Sequence, residues 1–320
     1  MSRKTITWLI IAASLLLIGC ILFGGVMTML NWDFRKLSTD KYETNEYPLR
    51  EDYDHISVIT DTADLVFVPS ENGKGSVTCY ENEHAKHSVS VKDGTLVIEV
   101  RDTRKWYEHI GIHFGTPKIT VSIPGGDYGM LSVKASTGDL KIPNAFCFES
   151  MDIEQSTGHV TNGASASGSI RIKTSTGEIH VENLAADTLA LTVSTGKVTA
   201  SGITCRRDVT VNVSTGKTYM TDIRCKNLIS GGSTGNLSMK NVIATEAFSI
   251  QRSTGDVKLE GCDAAQLSVK TSTGDVTGHL LTEKIFMTQT STGKVNVPKT
   301  VTGGKCEIIT DTGDIQITVD

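Results

Sequence analysis

One tripeptide, Ser-Thr-Gly, returns nine times between Ser136 and Gly293, and Asp311-Thr312-Gly313 makes a tenth copy. Its glycines are Gly138, Gly158, Gly177, Gly196, Gly216, Gly235, Gly255, Gly274, Gly293 and Gly313, spaced 20, 19, 19, 20, 19, 20, 19, 19 and 20 residues apart. A period held that closely over ten copies means one structural unit stacked on itself, and it constrains the fold more than any other feature of the chain.

Alignment on the glycine shows what each unit buries. Seven residues before it stand Leu131, Met151, Ile170, Leu189, Val209, Leu228, Phe248, Leu267, Phe286 and Cys306, all apolar. Five before it only Ser230 and Thr288 depart from aliphatic, and two after it only Thr218 does. The residue next to the glycine is always polar: Asp139, His159, Glu178, Lys197, Lys217, Asn236, Asp256, Asp275, Lys294 and Asp314. Each unit therefore reads as a short alternating strand, a corner at Thr-Gly and a second alternating strand.

Inward positions fall on odd offsets before the glycine and even offsets after it. Period-two alternation changes parity only where a bend or bulge absorbs a residue, and glycine does this by adopting a backbone conformation that other residues reach at a cost. The Ser and Thr hydroxyls suit such a corner because they bond to nearby backbone. A single turn of about 19 residues buries too little to offset the ordering of its own chain, so the turns must stack. Residues 131–320 are expected to form a parallel β-solenoid of about ten 19–20-residue coils, a rod roughly 48 Å long at about 4.8 Å per coil.

The body is all-β in composition as well, with 30 Gly and only 6 Pro and 8 Phe. Residues 46–130 form an irregular N-terminal β cap in this reading. Within it His55–Phe67 matches the repeat template, with Ala63 in the glycine slot and Ile56, Val58, Leu65 and Phe67 at buried offsets, as a degenerate first coil. SVTCY, SVSV, TLVIEV and KITVSI supply further strands, with Lys92-Asp93-Gly94 as a turn. An atypical end unit is what a solenoid needs to cover its open core and strand edges.

Residues 6–30 run for 25 positions without a charge, long enough to cross a bilayer as one helix. Residues 1–5, with Arg3 and Lys4, are expected in the cytoplasm and everything beyond the span outside it. A cleaved signal sequence has a shorter apolar core, of about 7–15 residues. Leu17-Ile18-Gly19-Cys20 resembles a lipobox, but the apolar run continues ten residues past Cys20. Residues 31–45 are expected to be a linker. The formal net charge is only −5 and no block of Lys or Arg occurs in the body, which argues against nucleic acid as a partner.

The N-terminal apolar span, the Lys92-Asp93-Gly94-Thr95-Leu96-Val97-Ile98 segment, the Ile123-Pro124 step and the serial STG strands together resemble a bacterial family known as "putative adhesin". That family is a β-strand-repeat domain of unknown function found in envelope proteins of Gram-positive bacteria. The resemblance covers about residues 45–320. It implies a β-solenoid outside the membrane, a role in adhesion or envelope-stress signalling, and no catalytic residues.

Several patterns invite chemistry. Asp311-Thr312-Gly313 and Asp61-Thr62-Ala63 look like the two loops of an aspartic protease, whose acids must share a proton. The repeat instead makes Asp311 part of the tenth and terminal corner and places Asp61 in the first coil. Cys147, Cys205 and Cys225 each lie nine residues after their glycine, in a slot for small residues, and Cys262 and Cys306 take apolar slots. These are expected to be buried thiols, with Cys205 and Cys225 the pair to test for a disulfide. Asp256 and Asp275 are the place to look for a calcium ladder. His84 with His87, and His109 with His113, have no acid or thiol at ligand spacing, and no metal or cofactor is expected. A carbohydrate-cleaving β-helix would need paired acids in a cleft, and the outward acids here are spread over many coils. Residues 104–115 interrupt the strands with Trp106, Tyr107 and Phe114, which form either a cap or a partner surface. The sequence thus points to a single-pass, membrane-anchored, non-enzymatic envelope module. Its partners would be the bilayer through residues 6–30 and an envelope polymer, a lipid or a membrane protein. A sensor acting through a membrane-protein partner is the alternative.

Overall fold

The structure is a computed structural model, and it describes residues 2–33, 41–106 and 115–320. One helix, α1 (Arg3–Met29), opens the chain. Ser2 caps it, with Oγ accepting the Thr5 N–H at 3.2 Å, and left-handed residues Asn31 and Trp32 end it. At 27 residues it is about 40 Å long, against roughly 30 Å of bilayer hydrocarbon. Nearly all of its apolar side chains are exposed.

The N-terminal cap contains β1 (Tyr42–Pro48), β2 (His55–Thr62), β3 (Asp64–Pro69), β4 (Ser76–Asn82), β5 (Ala85–Lys92), β6 (Thr95–Asp102) and β7 (Lys118–Ile123). The strand β1 begins inside the stretch expected as linker, because Tyr42–Pro48 pairs along its whole length with β4. β2 and β3 form a coil of the repeat kind. Ile56 and Val58 stack beside Leu131 and Val133, and Leu65 beside Leu140. On its other side this coil meets β6 in parallel through Ile56–Leu96 and Val58–Ile98, and β7 through Leu65–Ile119. Antiparallel strands then turn over the end, with β5 on β6 and β4 between β1 and β7. The apolar interior is thereby closed at this end by Val77, Cys79, Ile119 and Val121, all fully buried.

Beyond the cap the chain is a parallel β-solenoid in which each repeat glycine takes φ between 128° and 154°. That value is only part of the reason for glycine. A Cβ added at any of the ten would collide with the backbone of the adjacent coil, at the carbonyl of that coil's corner glycine or, for Gly138, of Ala63. Ala63 itself stands beside Pro117 rather than above a glycine corner. There Asp64 N–H bonds to Pro117 O, and φ is not positive.

The coils have three inward-facing runs rather than the two expected. In five consecutive coils the residue six places after the glycine is left-handed: Asn183, Gly202, Asp222, Asn241 and Gly261, with φ of 52–64°. This second corner resets the parity again, so that Leu184 and Ala186, Ile203 and Cys205, Ile223 and Cys225, Val242 and Ala244, and Cys262 and Ala264 point inward. Asn, Asp and Gly are the residues that tolerate this conformation.

The spatial order of the last coils differs from their order in sequence. Strand Gly304–Thr312 pairs with Val257–Thr273 on one side and with Lys284–Thr292 on the other. The coil of Asp311-Thr312-Gly313 is therefore inserted between the Gly274 and Gly293 coils, and the terminal corner is Ser291-Thr292-Gly293. This corrects the expectation that Asp311 marks the end of the rod. The skipped step is held by Lys284, nearly buried, whose Nζ lies 2.6 Å from Asp263 Oδ1. It also accounts for Thr288. As the inward residue of the terminal coil it is only half-buried, so a hydroxyl there costs little. Asp61 remains far from Asp311. Nine coil steps of about 4.8 Å place them roughly 43 Å apart, and they share no proton.

Candidate functional site

The polar residues that follow the corner glycines serve the stack. Where that residue is Asp or Asn, its Oδ1 accepts the backbone N–H of the equivalent residue one coil on. Asp64 holds Asp139 at 2.9 Å, Asp139 holds His159 at 2.8 Å, Asn236 holds Asp256 at 3.1 Å and Asp256 holds Asp275 at 3.1 Å. Asp275 holds Asp314 at 2.8 Å and Asp314 holds Lys294 at 2.7 Å, which follows the spatial order of the coils. The acids of the candidate calcium ladder are thus engaged with backbone. Across the corners of Glu178, Lys197 and Lys217 backbone pairing continues without a break, and Lys197 Nζ bridges to Glu178 Oε2 at 2.8 Å.

Arg252 lies in the interior, three residues before Gly255, and is 2% exposed. The side-chain slot of Gly232 in the neighbouring coil accommodates its guanidinium. One NH2 nitrogen donates to Ser230 Oγ at 3.1 Å and Thr218 Oγ1 at 3.2 Å, while Nε and the other NH2 nitrogen have no acceptor among the described residues. Two polar departures from the repeat, Ser230 and Thr218, are therefore the companions of one buried cation. Its pKa is lowered by burial.

The densest cluster of reactive side chains is in the cap, on β4 and β5. Cys79 and Glu81 share the inward face of β4 with Val77, and His87 shares that of β5 with Val89 and Val91. Glu81 is 0% exposed. Its Oε1 accepts Asn45 Nδ2 at 2.8 Å, and its Oε2 accepts the His87 backbone N–H at 2.6 Å and His87 Nδ1 at 2.7 Å. On the far side of the ring, His87 Nε2 is 3.1 Å from Thr60 Oγ1, and Tyr47 donates to His87 O at 3.1 Å. The donor atoms of Cys79, Glu81 and His87 lie within 4.8 Å of one another. Burial, reinforced by the Glu81 carboxylate, pushes the Cys79 thiol up to about 12. The expectation that His87 lacks acid and thiol partners is overturned. The hairpin between β4 and β5 brings Glu81 to it, with Cys79 two residues further back on the same face. An acid on the apolar parity of SVTCYE was the available sequence signal.

Hydroxyl, imidazole and carboxylate stand here in the order of a hydrolase relay. Thr60 is 4% exposed, however, with its hydroxyl turned to the ring, so an acyl group could not approach it without opening the sheet. A cleft of about 210 Å³ reaches His87 from outside, past Tyr42, Asp61, Asn82, Asp102 and Arg104. Trp106 is 76% exposed, while Tyr107 and Phe114 lie outside the described residues. Elsewhere aromatics do serve the core: Phe67, Phe146, Phe148 and Phe248 are buried. Cys205 and Cys225, one coil apart, are free buried thiols.

Two shallow grooves run along the stacking direction. One, of about 310 Å³, crosses Lys134, Ser136, Glu154, Ser156, Lys173 and Ser175. The other, of about 460 Å³, follows the second corner past Gly202, Thr204, Asp222, Arg224, Asn241 and Ile243.

No curated protein matches this chain. Among solved structures, a "putative adhesin" from Bacteroides fragilis is 15% identical, covering 88% of this chain and 97% of its own, with a TM-score of 0.38. A "putative cell adhesion protein" from Clostridium sporogenes is 10% identical over 88% of this chain and 100% of its own, with a TM-score of 0.21. A "putative lipid binding protein" from Parabacteroides distasonis is 14% identical over 88% and 98%, with a TM-score of 0.31. The family model described as Toastrack DUF4097 matches residues 53–318, which is most of the chain, and the protein belongs to that family.

Proposed function

We propose that this protein is a single-pass membrane protein that displays its solenoid outside the cytoplasm as a non-enzymatic, adhesin-like binding module of the cell envelope. The observation that carries this reading is the pairing of an exposed apolar helix, Arg3–Met29, with a rod whose outer faces offer repeated shallow grooves along its length. Arg3 and Lys4 ahead of the span favour a cytoplasmic N-terminus. A shallow groove that crosses several successive coils suits a linear envelope polymer, because each coil adds a contact at about 4.8 Å intervals. The test is co-sedimentation of the full chain, in detergent, with isolated cell wall and with lipid vesicles, comparing wild type with Asp222→Ala/Arg224→Ala. Wall binding that this pair of substitutions abolishes supports the groove. Equal binding by both proteins removes it.

The exposure of Trp106 favours a second reading, in which the cap docks a membrane-protein partner and the rod acts as an envelope sensor. Crosslinking in intact cells separates the two. A discrete protein adduct lost in Trp106→Ala supports the sensor, and its absence leaves the polymer reading.

A further inference from the structure

We propose that Cys79, Glu81 and His87 form a zinc-binding site inside the N-terminal cap. Three donors of different chemistry, a thiol, a carboxylate and an imidazole nitrogen, converge within 4.8 Å although all three residues are buried. Tetrahedral Zn2+ with bonds of about 2.0–2.3 Å holds its ligand atoms roughly 3.3–3.7 Å apart. The cluster reaches that geometry by side-chain rotations of about an ångström: Glu81 Oε2 and His87 Nδ1, now 2.7 Å apart, open slightly while Cys79 Sγ draws in.

The chemistry of the donor set selects the metal class. A thiolate and an imidazole favour zinc-like ions over calcium or magnesium, which prefer oxygen alone. One thiolate, one carboxylate and one neutral imidazole cancel the charge of a divalent ion, as a dry site requires. Protons balance as well. The Cys79 thiol proton leaves to solvent, and with a neutral ring the His87 proton shifts from Nδ1 to Nε2. There Thr60 Oγ1, 3.1 Å away, accepts it and fixes the ring, as outer partners of metal-bound histidines do. The 210 Å³ cleft comes up to His87, the member of the cluster nearest the surface, and the fourth metal position is left to a water.

The experiment uses the full chain purified in detergent and stripped with chelator, titrated with Zn2+ alone and, separately, with Co2+ as an optical probe. One metal per chain, a sulfur-to-cobalt charge-transfer band and a melting temperature raised by Zn2+ are expected. Glu81→Gln and His87→Gln should weaken binding by more than the 10–100-fold that loss of an outer partner costs, and Thr60→Val should weaken it by about that range. Because Glu81 and His87 also tie β4 to β5, the decisive variant is Cys79→Val, which suits the apolar face of its strand. It should fold by circular dichroism, lose the charge-transfer band and no longer gain stability from Zn2+, while Cys205→Ser keeps both. A wild-type chain that retains no metal, or a folded Cys79→Val that binds it as before, overturns the assignment.

Discussion

Replacing Gly196 by Ala tests whether the repeat exists for the corner. Its Cβ would point at the carbonyl oxygen of Gly177 in the coil beneath, more than an ångström inside the roughly 3.3–3.6 Å of a close C–H···O contact. The side chain cannot rotate away, since a Cβ has no torsion. Either the two coils part locally or the corner changes φ from 147°. Parting them breaks two or three ladder hydrogen bonds at about 1 kcal/mol each. Holding Ala at a positive φ costs a further 1–2 kcal/mol or so. Together these give about 3–5 kcal/mol, which for a β domain of this size lowers the melting temperature by roughly 6–15 °C. Gly293→Ala should cost less, about 1–2 kcal/mol from the backbone alone, because its terminal coil can shift outward into solvent. Ala63→Gly should cost no more than about 1 kcal/mol, the entropy of an added glycine. Thermal unfolding of the full chain in detergent gives the ranking, and hydrogen exchange at residues 189–216 locates the loss. If Gly196→Ala melts within a degree of wild type, or no lower than Gly293→Ala, the steric account of the ladder is wrong.

Arg252→Met should stabilise the protein by about 1–3 kcal/mol, because it removes a buried cation that the hydroxyls of Ser230 and Thr218 do not neutralise; a lower denaturation midpoint would show that the guanidinium is better satisfied than its contacts indicate. The coil order predicts that Ser268→Cys/Glu307→Cys crosslinks under mild oxidation, since those residues are paired, while Ser268→Cys/Met287→Cys, two coils apart, does not. Mass spectrometry of the peptides would show the reverse if the last coils stacked in sequence order. Burial pushes the thiols of Cys205, Cys225 and Cys306 up to about 12 and Cys262 up to about 11, from an ordinary value of 9.0. The folded chain keeps these protons where the unfolded chain loses them, so their contribution to stability is full below about pH 9 and falls as pH rises toward 12. At pH 8 these thiols should react with a disulfide reagent only after unfolding, and immediate labelling of all of them would contradict the burial.

The spacing of ten corner glycines and the apolar columns on either side are local regularities, so sequence alone determined the parallel solenoid, its coil length and the inward residues of two of its three runs. The third run was legible in principle, through Asn183, Gly202, Asp222, Asn241 and Gly261. Those residues share no single letter, only the left-handed conformation that Asn, Asp and Gly all reach. Coil order was not legible, because the Gly293 and Gly313 units present the same template to any neighbour. Only the tertiary arrangement, fixed across the skipped step by Lys284 and Asp263, decides which of them is outermost. The cluster at His87 was hidden for the same kind of reason. Glu81 and Cys79 stand on the apolar parity of a recognisable strand, but their meeting with His87 and Thr60 depends on how β2, β4 and β5 close over the end of the rod. Periodicity carries no information about such a long-range contact.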